Sequence, residues 1–124
     1  MVTLLILLNV CHFLADYTWL SNSWMLNAKR FGKPLFPIIA HATVHAFLMW
    51  IVIRWVFNTD ANTSFWLFWL QLSTHFGIDV LKGRMNEWFP PVKSPLNVIH
   101  WVVFGGDQLL HQVVIILMVS IILR

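Results

Sequence analysis

The stretch T-H-F-G-I-D-V-L-K, residues 74–82, ends an apolar run that begins near Phe65. Its His75 and Asp79 are four residues apart, so on a helix they lie one turn apart on one face. Lys82 continues that face by three residues. Ionisable side chains are costly in a lipid-embedded helix unless they face a polar interior or one another. The stretch therefore predicts a helix whose polar face is directed at a functional site.

The same spacing of four recurs elsewhere in the chain. It lets two side chains of one helix reach a single ion, as in the H-E-x-x-H zinc helix. The three further pairs are His12 with Asp16, His41 with His45, and Asp107 with His111.

The composition is that of an integral membrane protein. Of 124 residues, 59% are hydrophobic and 10% are charged, whereas about a quarter of the residues in soluble domains are charged. The net charge of +3 is small and no nucleic-acid-binding motif is present, so a nucleic-acid partner is not expected. Because Cys11 is the only cysteine, an intrachain disulfide and a cysteine-based zinc site are excluded.

Four segments approach the ~20 apolar residues that a spanning helix needs. We therefore predict an all-α fold, an integral membrane bundle of four transmembrane helices that forms a single domain over residues 1–124. A shorter apolar segment before the last helix is predicted to be interfacial or re-entrant, or part of a helix broken at Gly105 and Gly106. The predicted helices cover about residues 2–24, 36–57, 64–82 and 105–123, with the shorter segment at about 95–104.

The basic residues predict the orientation. Six of the eight lie in or beside the first connector, residues 27–37, and the third connector, residues 83–94. Only Arg54 and Arg124 lie toward the other side. The positive-inside rule then places both termini outside the cytoplasm. In an up-down-up-down bundle, all four spaced pairs reach one depth, in the cytoplasmic half. The six residues are Lys29, Arg30, Lys33, Lys82, Arg84 and Lys93.

Eight groups at one depth predict a site for one or two divalent transition metal ions. Imidazole and carboxylate ligands favour Zn first, with Fe or Mn as alternatives. Some of the eight are expected to orient a ligating histidine rather than bind the ion. Asp16, Asp79 and Asp107 are the candidate catalytic carboxylates, and Lys82 and Arg84 are candidates for binding an anionic substrate group. The candidate ligands are His12, Asp16, His41, His45, His75, Asp79, Asp107 and His111.

Five motifs follow one another along the chain: H-F-L-A-D-Y (12–17), W-M-L-N-A-K (24–29), H-A-T-V-H (41–45), T-H-F-G-I-D-V-L-K (74–82) and D-Q-L-L-H (107–111). In this order they resemble a bacterial and phage membrane family catalogued as domain of unknown function 3307. The resemblance implies a shared site in a bacterial inner membrane protein and names no reaction. Ser21 and Asn22 depart from the Gln-containing stretch expected there, which predicts an altered site entrance. A weaker similarity connects the chain to small membrane-bound proteins labelled metal-dependent hydrolases.

Three functions are compatible with these features. The first is a membrane-embedded metal-dependent hydrolase acting on a lipid-like or phosphoester substrate at the cytoplasmic interface. The second is a transporter or channel for protons or metal ions, which requires a polar path across the whole bilayer. The third is a structural or interaction protein whose His–Asp network holds the helices together. A homo-oligomer is compatible with all three, because four helices leave a large lipid-facing surface.

Overall fold

Five α-helices joined by short connections make up the computed structural model, which describes all 124 residues and contains no strand. The predicted all-helical fold is confirmed. A π-helical turn, Val52–Val56, continues the third helix, and a short 3-10 turn, Pro90–Lys93, precedes the last. The helices are α1 Val2–Tyr17, α2 Ser23–Phe31, α3 Leu35–Ile51, α4 Ala61–Trp88 and α5 Val98–Ile122.

The predicted first helix, 2–24, is two helices. α1 ends at Tyr17, and the Asn22 side chain accepts a hydrogen bond from the Met25 backbone N–H at 3.0 Å, which begins α2. Asparagine at this position satisfies a backbone donor that a helix start would leave unpaired. With 16 residues, α1 is about 24 Å long, shorter than a hydrocarbon core of about 30 Å.

α4 extends six residues beyond its predicted end at Lys82 and includes part of the predicted connector. The prolines Pro90 and Pro91 explain where it ends, since proline lacks the N–H and restricts the residue before it. α5 is also longer than predicted, because it runs without a break through Gly105 and Gly106. A glycine inside a helix costs only about 1 kcal/mol. The prediction of a separate segment at 95–104 is therefore wrong, because most of these residues form the start of α5.

Two helical segments, Leu35–Val56 and Val98–Ile122, are long and apolar enough to cross a membrane by length and composition. α1 is apolar but short. The other long helix, α4, does not meet the criterion because its polar face interrupts the apolar sequence. Length and composition thus support two of the four predicted membrane-spanning helices.

The helices divide the interior into an apolar half and a polar half. α3 packs along α4, α1 lies against α3 and α5, and α2 rests on α3 and α4. Cys11 lies in the apolar half and packs there as a small apolar residue. The buried apolar core comprises Leu4, Leu8, Cys11, Met49, Ile53, Leu67, Ile115, Met118 and Val119.

Two glycines bring α2 directly against α4. Gly32 ends α2 with φ +65°, and its N–H bonds the carbonyl of Ala28. A Cβ added at Gly83 would lie 2.1 Å from the Gly32 nitrogen, so no other residue fits there without displacement. This backbone contact holds Lys29, three residues before Gly32, above the polar half of the bundle.

Candidate metal centre

Histidines from all four long helices meet in the polar half of the bundle. The ring centroids of His45 and His75 are 3.7 Å apart, and those of His75 and His111 are 4.2 Å apart. His12 completes the group at 4.9 Å from His45 and 5.1 Å from His111. All four are at least 96% buried. The convergence predicted from the spacing of four is therefore present in the structure.

Four side chains form a first group able to hold a metal ion, each offering one ligand atom within 4.8 Å of the others. Asp16 Oδ1 lies 3.0 Å from His41 Nε2 and 3.4 Å from His45 Nε2. The fourth member is His75. One carboxylate and three imidazoles are a donor set that suits zinc.

A second such group contains His75, Asp79 and His111. Asp79 Oδ2 lies 3.3 Å from His75 Nε2, and Asp79 Oδ1 lies 3.6 Å from His111 Nε2. His75 thus belongs to both groups and joins them.

The remaining two predicted ligands flank these groups. His12 Nε2 is 3.3 Å from Asp16 Oδ2, and Asp107 Oδ1 is 3.5 Å from His111 Nε2. The structure therefore brings all eight predicted residues together, with six in the two groups and two beside them.

Many polar atoms of this cluster are buried without a hydrogen-bond partner, although buried polar atoms in native proteins are nearly always paired. Nine of the eleven such side-chain atoms in the protein belong to the eight clustered residues. The Asp–His contacts of 3.3–3.6 Å do not satisfy them. Converging imidazole and carboxylate lone pairs fit a divalent transition metal ion, so the cluster could bind one. The atoms are His12 Nδ1 and Nε2, His45 Nδ1, His75 Nδ1 and Nε2, Asp79 Oδ1 and Oδ2, Asp107 Oδ1, and His111 Nε2.

Lys29 is a member of the site that the sequence analysis assigned only to membrane orientation. Its Nζ lies 2.9 Å from Asp16 Oδ1, 2.9 Å from His41 Nε2 and 3.4 Å from Asp79 Oδ2. Burial disfavours the charged ammonium, but the carboxylates of Asp79 and Asp16 outweigh it and raise the pKa of Lys29. The available signal was the W-M-L-N-A-K motif, which ends at this lysine.

Ser21, which the sequence analysis connected only with the site entrance, lies against a candidate metal ligand. It is buried, and its Oγ lies 3.5 Å from His41 Nδ1, at the limit of a hydrogen bond. Ser21, where the sequence analysis expected a departure from the family pattern, is thus beside a candidate ligand.

The two predicted substrate-binding cations have different surroundings. Lys82 Nζ donates to Asp107 Oδ2 at 2.9 Å, at the edge of the cluster. The Arg84 guanidinium instead lies 3.5 Å from Glu87, outside the cluster and outside the pocket beside it that is lined by Asp16 and Lys29. His100 lies outside the cluster, and its Nδ1 donates to the Val92 carbonyl at 2.7 Å.

A pocket of about 340 Å³ adjoins the cluster and is lined by both Asp16 and Lys29. Ligand pockets usually measure about 300–1,000 Å³. The pocket therefore offers a ligand-sized space next to the candidate ligands.

Together the fold and site define an all-helical protein with a buried His/Asp cluster suited to a metal ion. The chain belongs to the family described as "Protein of unknown function (DUF3307)", whose profile matches residues 4–124. The resemblance seen in the motifs is confirmed over nearly the whole chain. No curated protein and no solved structure matches it.

Proposed function

We propose that this protein is a membrane-embedded, metal-dependent hydrolase that cleaves a phosphoester or another ester of a lipid-like substrate. The single observation that carries the proposal is the set of nine buried, unpartnered nitrogen and oxygen atoms on converging His and Asp side chains. A cluster that only held helices together would be expected to satisfy its own hydrogen bonds.

The two groups that share His75 would hold one or two divalent ions, with Zn preferred and Fe or Mn as alternatives. Such an ion, when bound, would act as a Lewis acid that polarises a phosphoryl or carbonyl oxygen. Asp16 and Asp79 would serve as carboxylate ligands from α1 and α4. His12 would orient a neighbouring ligand or complete the coordination.

Asp107 is the carboxylate best placed to accept a proton from an attacking water. Lys82 Nζ and Gln108 Nε2 donate to its Oδ2 at 2.9 and 3.1 Å. Its Oδ1 has no hydrogen-bond partner. A carboxylate held at one oxygen and free at the other has a fixed orientation and an available lone pair, which is what a general base needs.

The outer surfaces of the helices support a membrane location. Large apolar side chains face outward on all five helices, including Ile6 on α1, Phe36 on α3 and Leu109 on α5, with exposed fractions of 55%, 70% and 64%. Contiguous exposed apolar surface is rare on soluble monomers. With the two candidate spans, it favours embedding in a bacterial inner membrane. The positive-inside rule favours both termini outside and the site toward the cytoplasm. Homo-oligomerisation remains a prediction.

The apolar half of the bundle disfavours a transporter. Residues such as Leu8, Met49 and Ile115 are fully buried there and form a continuous core. A single chain therefore has no polar path that continues from the His/Asp cluster to the other end.

Elemental mass spectrometry on detergent-purified protein tests the metal. We expect one or two equivalents of Zn, Fe or Mn in the wild type and a loss in an Asp79→Asn, His45→Ala double variant. His100→Ala is the matched control, because His100 lies outside the cluster. Hydrolysis of phosphoester and carboxyl-ester lipids with and without a chelator tests the reaction. A folded wild type that takes up no metal would exclude the proposed function.

A further inference from the structure

Three cations line the pocket beside the cluster. Lys29 and Lys82 contact the site carboxylates, whereas Arg30 has no carboxylate within 4.0 Å. Asn86, His100 and Gln108 add polar atoms to the same walls. The Nδ1–H of His100 is used by the Val92 carbonyl, so its Nε2 remains available to a ligand. The pocket is thus equipped to bind an anion through several hydrogen-bond donors.

With a divalent ion at the cluster, the charges around the pocket would leave a positive excess that an anion would neutralise. Asp16, Asp79 and Asp107 carry three negative charges, and Lys29 and Lys82 offset two of them. One divalent ion at the cluster would make this set positive, and Arg30 adds a further charge. A phosphate group carries one to two negative charges near neutral pH, and arginine binds phosphate through paired donors.

An apolar groove begins where the pocket ends. It lies between α4 and α5, has a volume of about 360 Å³, and shares Lys82 and Val103 with the pocket. Apart from Lys82 and Asp107, the groove presents almost only carbon atoms. Its walls include Ile78, Leu81, Met85, Val102, Leu109 and Leu110.

We propose that the pocket and the groove together bind a lipid that carries a phosphate, with the phosphate at Arg30 and Lys82 and an acyl chain along the groove. The inference names the substrate class of the proposed hydrolase and in that sense rests on the proposed function. A polar, cationic space that continues into an apolar groove matches the two ends of such a molecule. A free phosphate would use the pocket alone and leave the groove without a role.

Lipid binding to the purified full-length protein tests the proposal. The probes are dioleoyl phosphatidic acid, dioleoyl glycerol and glycerol 3-phosphate, each titrated in detergent with and without EDTA. We expect phosphatidic acid to bind at least tenfold more tightly than either of the other probes. Equal binding of dioleoyl glycerol would overturn the phosphate contact, and equal binding of glycerol 3-phosphate would overturn the role of the groove.

Two variants separate the two halves of the site. Arg30→Gln should weaken phosphatidic acid binding about tenfold, whereas Lys93→Gln, which removes an exposed cation outside the pocket, should not. Val102→Trp should fill the groove and weaken phosphatidic acid without affecting glycerol 3-phosphate. Val113→Trp on the same helix, outside the groove, is its control. Equal effects of a variant and its control would contradict the proposal.

Metal content measured on the same samples distinguishes this inference from the proposed function. Metal-loaded protein without a preference for phosphatidic acid would overturn the lipid assignment alone. Metal-free, folded protein that retains the preference and its loss in Arg30→Gln would support the lipid site while excluding the metal-dependent hydrolase.

Discussion

The ammonium of Lys29 lies 2.9 Å from a carboxylate oxygen of Asp16 and 3.4 Å from one of Asp79, so one cation joins both candidate metal groups. The lysine comes from α2, a nine-residue helix that contributes no candidate metal ligand. A positive charge in this position stabilises the carboxylates before any metal arrives and competes with a metal for the same lone pairs.

Replacing this lysine separates the two effects. In Lys29→Met we expect the metal-free protein to lose about 3 kcal/mol, because breaking a largely buried ion pair leaves a carboxylate uncompensated. The same variant should bind Zn²⁺ at least tenfold more tightly, since the competing charge is gone. Thermal unfolding in EDTA and a zinc titration measure the two quantities.

Lys33→Met is the control for the lysine experiment, because Lys33 is exposed and pairs with Glu87 at 2.8 Å. It should change neither quantity appreciably, since exposed ion pairs contribute about 0–1 kcal/mol. Weaker zinc binding in Lys29→Met would show that the lysine supports the metal site rather than competing with it.

The close contact between Gly32 and Gly83 predicts that a larger residue at position 83 would displace α2, and Lys29 with it. Gly83→Ala places a Cβ 2.1 Å from backbone, so we expect a loss of about 1–3 kcal/mol and displacement of α2. Gly77→Ala on the same helix meets nothing within 4 Å and should be stabilising by about 0.5–1 kcal/mol. Thermal unfolding of both variants checks the contrast, and equal midpoints would show that α2 tolerates displacement.

The sequence was sufficient to predict the His/Asp convergence because the spacing of four fixes a helix face. His75 and Asp79 on α4 and Asp107 and His111 on α5 needed only helical geometry and an antiparallel bundle to meet. Lys29 could not be placed in this way, since its position depends on how α2 folds back. That fold depends on the contact between Gly32 and Gly83, which is distant in sequence and has no periodic signal.

Helix boundaries were the less predictable part of the fold. Asn22 begins a new helix with its side chain, although the apolar character of the chain continues across it. Gly105 and Gly106 were expected to interrupt α5, yet the helix continues because backbone hydrogen bonding and packing outweigh a cost of about 1 kcal/mol each. Local composition alone therefore does not predict where such helices begin, end or continue.

The sharing of His75 between the two groups predicts unequal effects of histidine substitutions on metal content. His75→Ala removes a donor from both groups, whereas His111→Ala removes one only from the group with Asp79. If the wild type holds two ions, we expect His111→Ala to retain about one and His75→Ala to retain less. Elemental analysis of the folded variants decides this. Equal metal content in the two variants would show that the groups do not share a ligand.

Metal removal should destabilise the protein, because a ligand that binds only the folded state stabilises it by mass action. At a free Zn²⁺ concentration about a hundredfold above the dissociation constant, the expected gain is about 2.7 kcal/mol, which EDTA should reverse. The Asp79→Asn, His45→Ala variant should show no zinc-dependent shift in its unfolding midpoint. His100→Ala should shift as the wild type does, because His100 is bonded to the Val92 carbonyl outside the cluster. Mn²⁺ at equal concentration should shift the wild type less than Zn²⁺, since nitrogen-rich sites bind zinc more tightly. A wild type whose midpoint is the same in zinc and in EDTA would mean that its buried imidazoles and carboxylates do not hold the ion.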